Sequence, residues 1–189
     1  MTIADLSPVF RPGASNAWVL LVPLLLEGIY ISVFRKDVAR QLADMTGYRR
    51  REKVFTVAAS VAPYPFMVLT VWTPFTSRAA LVVLGLGFYL VGMVGFFSAL
   101  RVFARTPPGE LCSTGVYRWS RNPLYVSAAL VFFGVSLATA NVVLFGLLVG
   151  LLLLQHRMIL AEERACQQQH GARYLEYAER VPRYVARMP

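Results

Sequence analysis

Two polar segments in the C-terminal half of the sequence contain residue types that bind charged ligands. The first is GVYRWSRNPLYVS at positions 115–127, which includes Tyr117, Arg121, Asn122, Pro123 and Tyr125. Asn122 and Pro123 predict a helix start, since asparagine can cap free backbone amides and proline fits the first helical position. The free amides and the dipole of a helix start, next to Arg121, can hold a carboxylate or a phosphate. The same aromatic and arginine residues are also typical anchors at a membrane surface.

The second segment contains the adjacent carboxylates Glu162 and Glu163, followed by Tyr174 and Tyr177. Carboxylates accept hydrogen bonds from ammonium and hydroxyl groups. Adjacent glutamates at the end of a helix are equally compatible with solvated surface charge. We expect no metal site, because the two cysteines of the chain have no metal-binding spacing.

The elements that position these segments are membrane helices. The chain has 189 residues, of which 57% are hydrophobic and 15% charged, and its mean hydropathy is +0.53. This composition excludes an ordinary soluble domain. Five apolar runs of membrane-spanning length predict spans at 17–34, 54–72, 79–100, 124–140 and 142–160. The predicted fold is a single all-α domain over residues 1–189, an integral membrane bundle of about five transmembrane helices with a helical C-terminal tail.

Lysine and arginine residues concentrate on one side of these spans. Of the 19, 17 lie in the predicted loops 35–53 and 101–123 and in the tail from Arg157 onward, and only Arg11 and Arg78 lie on the other side. The positive-inside rule therefore predicts that the N-terminus is outside and that the C-terminal tail and both polar segments face the cytoplasm. Since membrane topology accounts for the positive charge, we expect no nucleic-acid partner.

The connectivity of the last two spans brings the polar segments together. These spans are separated only by Asn141, so we expect a tight antiparallel hairpin. The pair Asn122–Pro123 starts one arm and the pair Glu162–Glu163 ends the other, and both pairs then lie at the same end of the hairpin. An anion-binding site that faces a pair of carboxylates suits a zwitterionic ligand.

The order and spacing of these residues resemble the C-terminal signature of the isoprenylcysteine carboxyl methyltransferase family in its bacterial form, with which membrane phospholipid methyltransferases share features. The family pattern is roughly G-x-Y-R-x-x-R-[HN]-P-x-Y, then E-E, then [FYH]-G-x-x-Y-x-x-Y-x-x-x-V-P-R. It covers about the last 75 residues of the chain. The matching positions are Gly115, Tyr117, Arg118, Arg121, Asn122, Pro123, Tyr125, Glu162, Glu163, Gly171, Tyr174, Tyr177, Val181, Pro182 and Arg183.

The resemblance implies an S-adenosylmethionine-dependent methyltransferase in the bacterial cytoplasmic membrane, whose lipid or lipophilic acceptor enters from the bilayer. Residues 101–189 would hold the cofactor and residues 17–100 would form the acceptor side. The cofactor-binding residues would be Tyr117, Arg121, Asn122, Pro123, Tyr125, Glu162, Glu163, Tyr174 and Tyr177. Glu163 would take a proton if the acceptor is an amine. Arg157 would be a catalytic and substrate-binding residue, because it is the arginine nearest to the position that holds a substrate carboxylate in the family, one residue out of register.

Three observations leave alternatives open. The prenylcysteine enzymes typically have histidine where this chain has Asn122. Glu27 lies within the first span, where an ionisable group is costly and indicates either a substrate-binding residue or a structural ion pair. The glycines Gly85, Gly87, Gly92 and Gly95 fit a cofactor-binding motif or, more simply, close helix packing. An NADPH-dependent sterol-reductase-like enzyme and a non-catalytic scaffold or transporter are the rival functions.

Overall fold

The computed structural model describes residues 10–185, and this part of the chain is helical with no strand. Short 3-10 helices cover Ala17–Leu21 and Gly115–Arg118. The α-helices are α1 (Val22–Phe34), α2 (Lys36–Leu42), α3 (Arg50–Val61), α4 (Pro63–Thr70), α5 (Ala79–Phe103), α6 (Pro123–Thr139), α7 (Val142–His170) and α8 (Ala172–Arg180).

The predicted fold class, an all-α membrane bundle, is confirmed. Within residues 10–185, four helical segments are long and apolar enough to cross a membrane: Ala17–Phe34, Arg50–Thr70, Ala79–Phe103 and Val142–His170. The remaining predicted span corresponds to α6, which is apolar but has only 17 residues, about 26 Å at the α-helical rise. Ten residues of α6 are buried, because it packs between α5 and α7 at the centre of the bundle.

The prediction of a loop at 35–53 is wrong. This stretch contains all of α2 and the first turn of α3, which starts at Arg50 instead of position 54. Lysine and arginine are good helix formers, so a basic stretch beside a span need not be a loop. Glu52 supports the start of α3 by accepting a hydrogen bond from the Arg49 amide at 2.6 Å. The second predicted span is also divided, since α3 ends at Val61 and α4 begins with Pro63.

Close packing of α5 against α6 depends on glycine. A Cβ atom on Gly85 would lie 2.5 Å from the carbonyl oxygen of Gly134, and one on Gly92 would lie 2.7 Å from the amide of Val131. The packing interpretation is confirmed for these glycines, whereas Gly87 faces open space. The contact holds α6, and with it the Asn122–Pro123 start, in a fixed position against α5.

The predicted hairpin is also confirmed. Ala140 adopts a left-handed conformation (φ +49°) after α6, and Asn141 caps α7 by accepting hydrogen bonds from the amides of Val143 and Leu144. Helix α7 continues to His170, and Gly171 (φ +53°) ends it. Helix α8 follows to Arg180, so the predicted helical tail is confirmed.

Candidate functional site

The start of α6 lies at Pro123 as predicted, but Asn122 does not cap it. No side-chain hydrogen bond reaches the first amides of α6. The Asn122 side-chain amide instead donates to Glu163 Oε1 at 2.9 Å and to the Arg183 carbonyl oxygen at 3.2 Å. The expectation of a capping asparagine is therefore wrong: a carboxylate on α7 attracts the side chain more strongly than the helix amides do. The uncapped start of α6 keeps the donors that an anion needs.

Glu163 is the centre of an ionic cluster that joins three elements. Its Oε1 accepts from Arg121 Nε (3.2 Å) and Asn122, and its Oε2 accepts from Arg121 Nη2 (3.2 Å) and Arg183 Nε (2.9 Å). The side chains of Arg121 and Glu163 are only 13% and 12% exposed. The carboxylate raises the pKa of the Arg183 guanidinium above its ordinary value through this hydrogen bond. The cluster fixes the start of α6 to α7 and to the segment after α8.

Further bonds hold that last segment over the cluster. Arg121 donates from Nη1 to the Ala178 carbonyl oxygen (3.0 Å) and from its backbone amide to the Pro182 carbonyl oxygen (2.9 Å). The Ser120 hydroxyl donates to the Arg183 carbonyl oxygen at 3.2 Å. The V-P-R end of the sequence pattern is thus held directly against the ionic cluster.

Glu162 has different surroundings from its neighbour. The Tyr125 hydroxyl donates to Glu162 Oε1 at 2.6 Å, and within residues 10–185 no donor reaches Oε2. Tyr48, in the loop before α3, lies close by: burial first and the negative charge of Glu162 second raise the pKa of the Tyr48 hydroxyl. Glu162 therefore has one oxygen available to a ligand in a tyrosine-lined environment.

Helix α8 brings two more tyrosines to this end of the hairpin. Tyr174 and Tyr177 are buried, with ring centroids 6.2 Å apart. The Tyr177 hydroxyl donates to the Tyr117 carbonyl oxygen at 2.7 Å, and burial raises the pKa of both the Tyr117 and Tyr177 hydroxyls. The buried Tyr174 hydroxyl has no hydrogen-bond partner among the described residues. Buried polar atoms without partners are rare, so this hydroxyl is available to a ligand.

An apolar crevice of about 480 Å³ runs between α6 and α7 beside the cluster. Tyr125 connects the crevice with the polar cluster, because it lines the crevice while its hydroxyl contacts Glu162. The polar side of the crevice is formed by Gln155 and by His156, whose Nδ1 lies 2.6 Å from the Tyr184 hydroxyl. The crevice has the character of a site for an apolar chain with a polar end.

All of the residues predicted to bind the cofactor lie at this end of the hairpin, whereas Glu27 and Arg157 do not join them. Glu27 lies on α1 and lines a separate crevice next to the end of α5. Arg157 is exposed on α7 and contacts none of the cluster residues. Five and six residues separate it from Glu162 and Glu163, which places it on a different face of the helix.

The structure adds Arg183 and Tyr48 to the site. Arg183 is the last residue of the V-P-R motif, and its place in that motif could have indicated that it belongs to the site. Tyr48 had no signal in the sequence, because it lies close to Glu162 only through the packing of α3 against α7. That packing is fixed by Arg164 of α7, which forms a salt bridge with Glu52 and donates to the Gly47 carbonyl oxygen at 2.9 Å.

Comparison with known proteins gives one match. The family model described as phospholipid methyltransferase matches residues 59–173, more than half of the chain. The matched region runs from α3 into α8 and includes Arg121, Asn122, Glu162 and Glu163. No curated protein and no solved structure matches the chain.

Proposed function

Because the chain belongs to the phospholipid methyltransferase family, we propose that this membrane methyltransferase transfers the methyl group of S-adenosylmethionine to a lipid or lipophilic acceptor. The observation that carries the proposal is the contact of Arg121 and Asn122 with Glu163. Arg121 and Asn122 lie 42 and 41 positions before Glu163 in the sequence. They meet it beside Glu162, a carboxylate with one oxygen that no donor from residues 10–185 reaches.

The fit of S-adenosylmethionine rests on polar groups that have no partner among the described residues. The uncapped start of α6, beside the Arg121 guanidinium, suits the carboxylate of the methionyl part. The free oxygen of Glu162 suits its ammonium group or the ribose hydroxyls. The buried Tyr174 hydroxyl, together with the rings of Tyr117 and Tyr177, suits an adenine ring. Donors, acceptors and flat walls thus match the parts of one zwitterionic nucleoside.

We assign different roles to the two glutamates. Glu162 contacts the cofactor directly, whereas Glu163 positions Arg121 and Asn122. Both oxygens of Glu163 already accept two hydrogen bonds each, so an ammonium group would have to compete with two guanidinium groups there. That Glu163 takes a proton from an amine acceptor, and that Arg157 binds or assists the acceptor, both stay predictions.

The acceptor would place its apolar chain in the crevice between α6 and α7. Tyr125 lines this crevice and contacts Glu162, and Tyr184 follows Arg183 of the cluster. A polar end near His156 and Tyr184 would therefore lie beside the cofactor site. The crevice lies entirely within residues 101–189, and this half would therefore bind part of the acceptor as well as the cofactor. We propose that the site faces the cytoplasm, on the basis of the lysine and arginine distribution.

When bound, S-adenosylmethionine supplies a methyl group on a positively charged sulfur. The residues of the chain mainly align the reactants and keep water away. Arg121, Asn122 and Arg183 hold the segment after α8 against the hairpin, and this segment covers the site. Tyr125 and Glu162 mark the boundary between the two reactants.

Calorimetry on the detergent-purified protein tests the proposal. We expect binding of S-adenosylmethionine and of its demethylated product, and no binding of NADPH. Glu162→Gln should lower the affinity at least about tenfold, the effect of one charged hydrogen bond. Glu179→Gln, an exposed carboxylate on α8, is the matched control. Binding of NADPH alone would support the reductase, and binding of neither compound would support a scaffold.

A further inference from the structure

A second crevice, of about 390 Å³, lies between α1, α2 and the end of α5. It shares no residue with the Glu162–Glu163 cluster or with the crevice between α6 and α7. The polar and aromatic residues that line it are Glu27, Tyr30, Arg35, Phe97, Arg101 and Arg105. Methyl transfer as proposed above uses none of these residues.

The charges in this crevice are unbalanced. Arg35 is paired with Asp37 at 3.0 Å and also donates to the Ala104 carbonyl oxygen at 3.3 Å, so it joins α1 to the end of α5. Arg101 and Arg105 are exposed, and within residues 10–185 neither has a hydrogen bond or an ion pair. Arg101 lies in the last turn of α5 and Arg105 in the turn that follows it, and both line the crevice. Their guanidinium groups are therefore free to bind an anion.

The crevice has a single carboxyl group, Glu27, at one end and arginines at the other. Glu27 precedes Arg35 by eight residues, about 12 Å along α1, and the basic end is the end nearest the membrane surface. Between them, Tyr30 is half exposed, as is common for tyrosine at the level of lipid headgroups. The adjoining surface of α1 is apolar and exposed, with Leu26 at 61% and Val33 at 54%. The apolar surface of α1 and the arginines at its end are therefore placed as the acyl chains and the phosphate of a phospholipid are.

We propose that this crevice binds one anionic glycerophospholipid, with its phosphate on Arg101 and Arg105 and its acyl chains along α1. A basic pocket between helices at the membrane surface is the usual binding site for such a headgroup. The excess of arginine disfavours a zwitterionic lipid, because its ammonium group would be repelled. The carboxylate of Glu27 repels the phosphate from the deeper part of the crevice and so sets the depth of the lipid. This binding is independent of methyl transfer.

Native mass spectrometry of the full-length protein in detergent tests the proposal, with phosphatidylglycerol, phosphatidylcholine and inorganic phosphate as probes. We expect one phosphatidylglycerol to remain bound to the wild type at concentrations where phosphatidylcholine and inorganic phosphate do not. The double variant Arg101→Gln/Arg105→Gln should bind phosphatidylglycerol about thirtyfold more weakly, since each arginine near an anionic headgroup contributes about fivefold.

The matched control is Arg40→Gln/Arg51→Gln, which removes the same charge from exposed positions outside the crevice and should bind as the wild type does. Equal weakening in both double variants would overturn the proposal in favour of general electrostatic attraction. Equal binding of phosphatidylcholine, or binding of inorganic phosphate alone, would overturn it as well. Glu27→Gln should bind phosphatidylglycerol at least as tightly as the wild type, and loss of binding there would contradict the assigned depth. Circular dichroism confirms that each variant is folded.

Discussion

Glu162 and Glu163 are neighbours in sequence, yet they lie in different chemical surroundings. Glu163 is the counter-ion of two arginines that come from other elements. Glu162 accepts from a single tyrosine and keeps one oxygen free of donors from the described part of the chain. Replacing each of the two residues with glutamine should therefore have different effects on stability and on ligand affinity.

For Glu163→Gln we expect loss of stability as well as of affinity for S-adenosylmethionine. Removing one partner from a partly buried ion pair costs about 3 kcal/mol, which lowers the melting temperature by about 10 °C for a chain of this size. Glu162→Gln should lower the affinity without a comparable change in melting temperature. Thermal unfolding and calorimetry on the same detergent samples distinguish the two variants.

If Glu163→Gln unfolds at the wild-type temperature, the ion cluster does not hold α6, α7 and the last segment together. If it also retains full turnover with every acceptor tested, its predicted role in proton transfer is wrong. Equal stability losses in both variants would remove the distinction between a ligand contact and a positioning residue.

The two asparagines that precede α6 and α7 provide a matched comparison. Asn122 donates to Glu163, whereas Asn141 accepts from the amides of Val143 and Leu144. Asn122→Asp replaces the donor with a second carboxylate at hydrogen-bond distance from Glu163 and should cost about 2 kcal/mol or more. Asn141→Asp keeps the cap and should be nearly neutral, because both residues are good N-caps. Equal melting temperatures for the two variants would contradict this assignment of Asn122.

At the scale of elements, the contact between α5 and α6 determines where the site residues of α6 lie. Gly85→Ala would place a methyl group against the backbone of α6 and should cost about 1–3 kcal/mol. Gly87→Ala, two residues away, meets nothing within 4 Å and should be neutral or slightly stabilising, since alanine favours helix. Thermal unfolding of the two variants checks the difference, and a neutral Gly85→Ala would mean that α5 and α6 are not so close.

Two tyrosines of helix α8 should make the protein less stable at alkaline pH. Burial raises the pKa of the Tyr174 and Tyr177 hydroxyls, so they stay protonated in the folded protein when they ionise in the unfolded chain. Their contribution is complete below about pH 10 and decreases above it, by up to about 1.4 kcal/mol per pH unit for each tyrosine. Melting temperatures of the wild type and Tyr177→Phe between pH 7 and 11 check this. The variant should lose less stability above pH 10, and parallel curves would contradict the assignment.

At the scale of the whole molecule, the sequence was most informative where connectivity alone determines proximity. The link at Asn141 is so short that α6 and α7 must be antiparallel, and the meeting of Arg121 with Glu163 follows from that hairpin. Hydropathy likewise identified the membrane bundle, because a run of about 20 apolar residues is typical of a transmembrane helix.

The parts that could not be predicted depend on competition between partners that are distant in sequence. A capping role for Asn122 follows from local preference, but Glu163 lies within its reach in the folded protein and binds it instead. Helix α2 was missed because its basic residues fit a loop beside a membrane as well as they fit a helix. Tyr48 lies close to Glu162 only when α3 packs on α7, and no sequence pattern indicates that proximity.

The central claim is that this chain methylates a lipophilic acceptor with S-adenosylmethionine. The most direct measurement is mass spectrometry of lipid extracts from cells that are supplied with methyl-labelled methionine and produce either the wild type or Glu162→Gln at equal levels. The account predicts at least one lipid species with a labelled methyl group that depends on the wild type and is strongly reduced with Glu162→Gln. Identical labelling of all lipids in wild-type, variant and protein-free cells would contradict it.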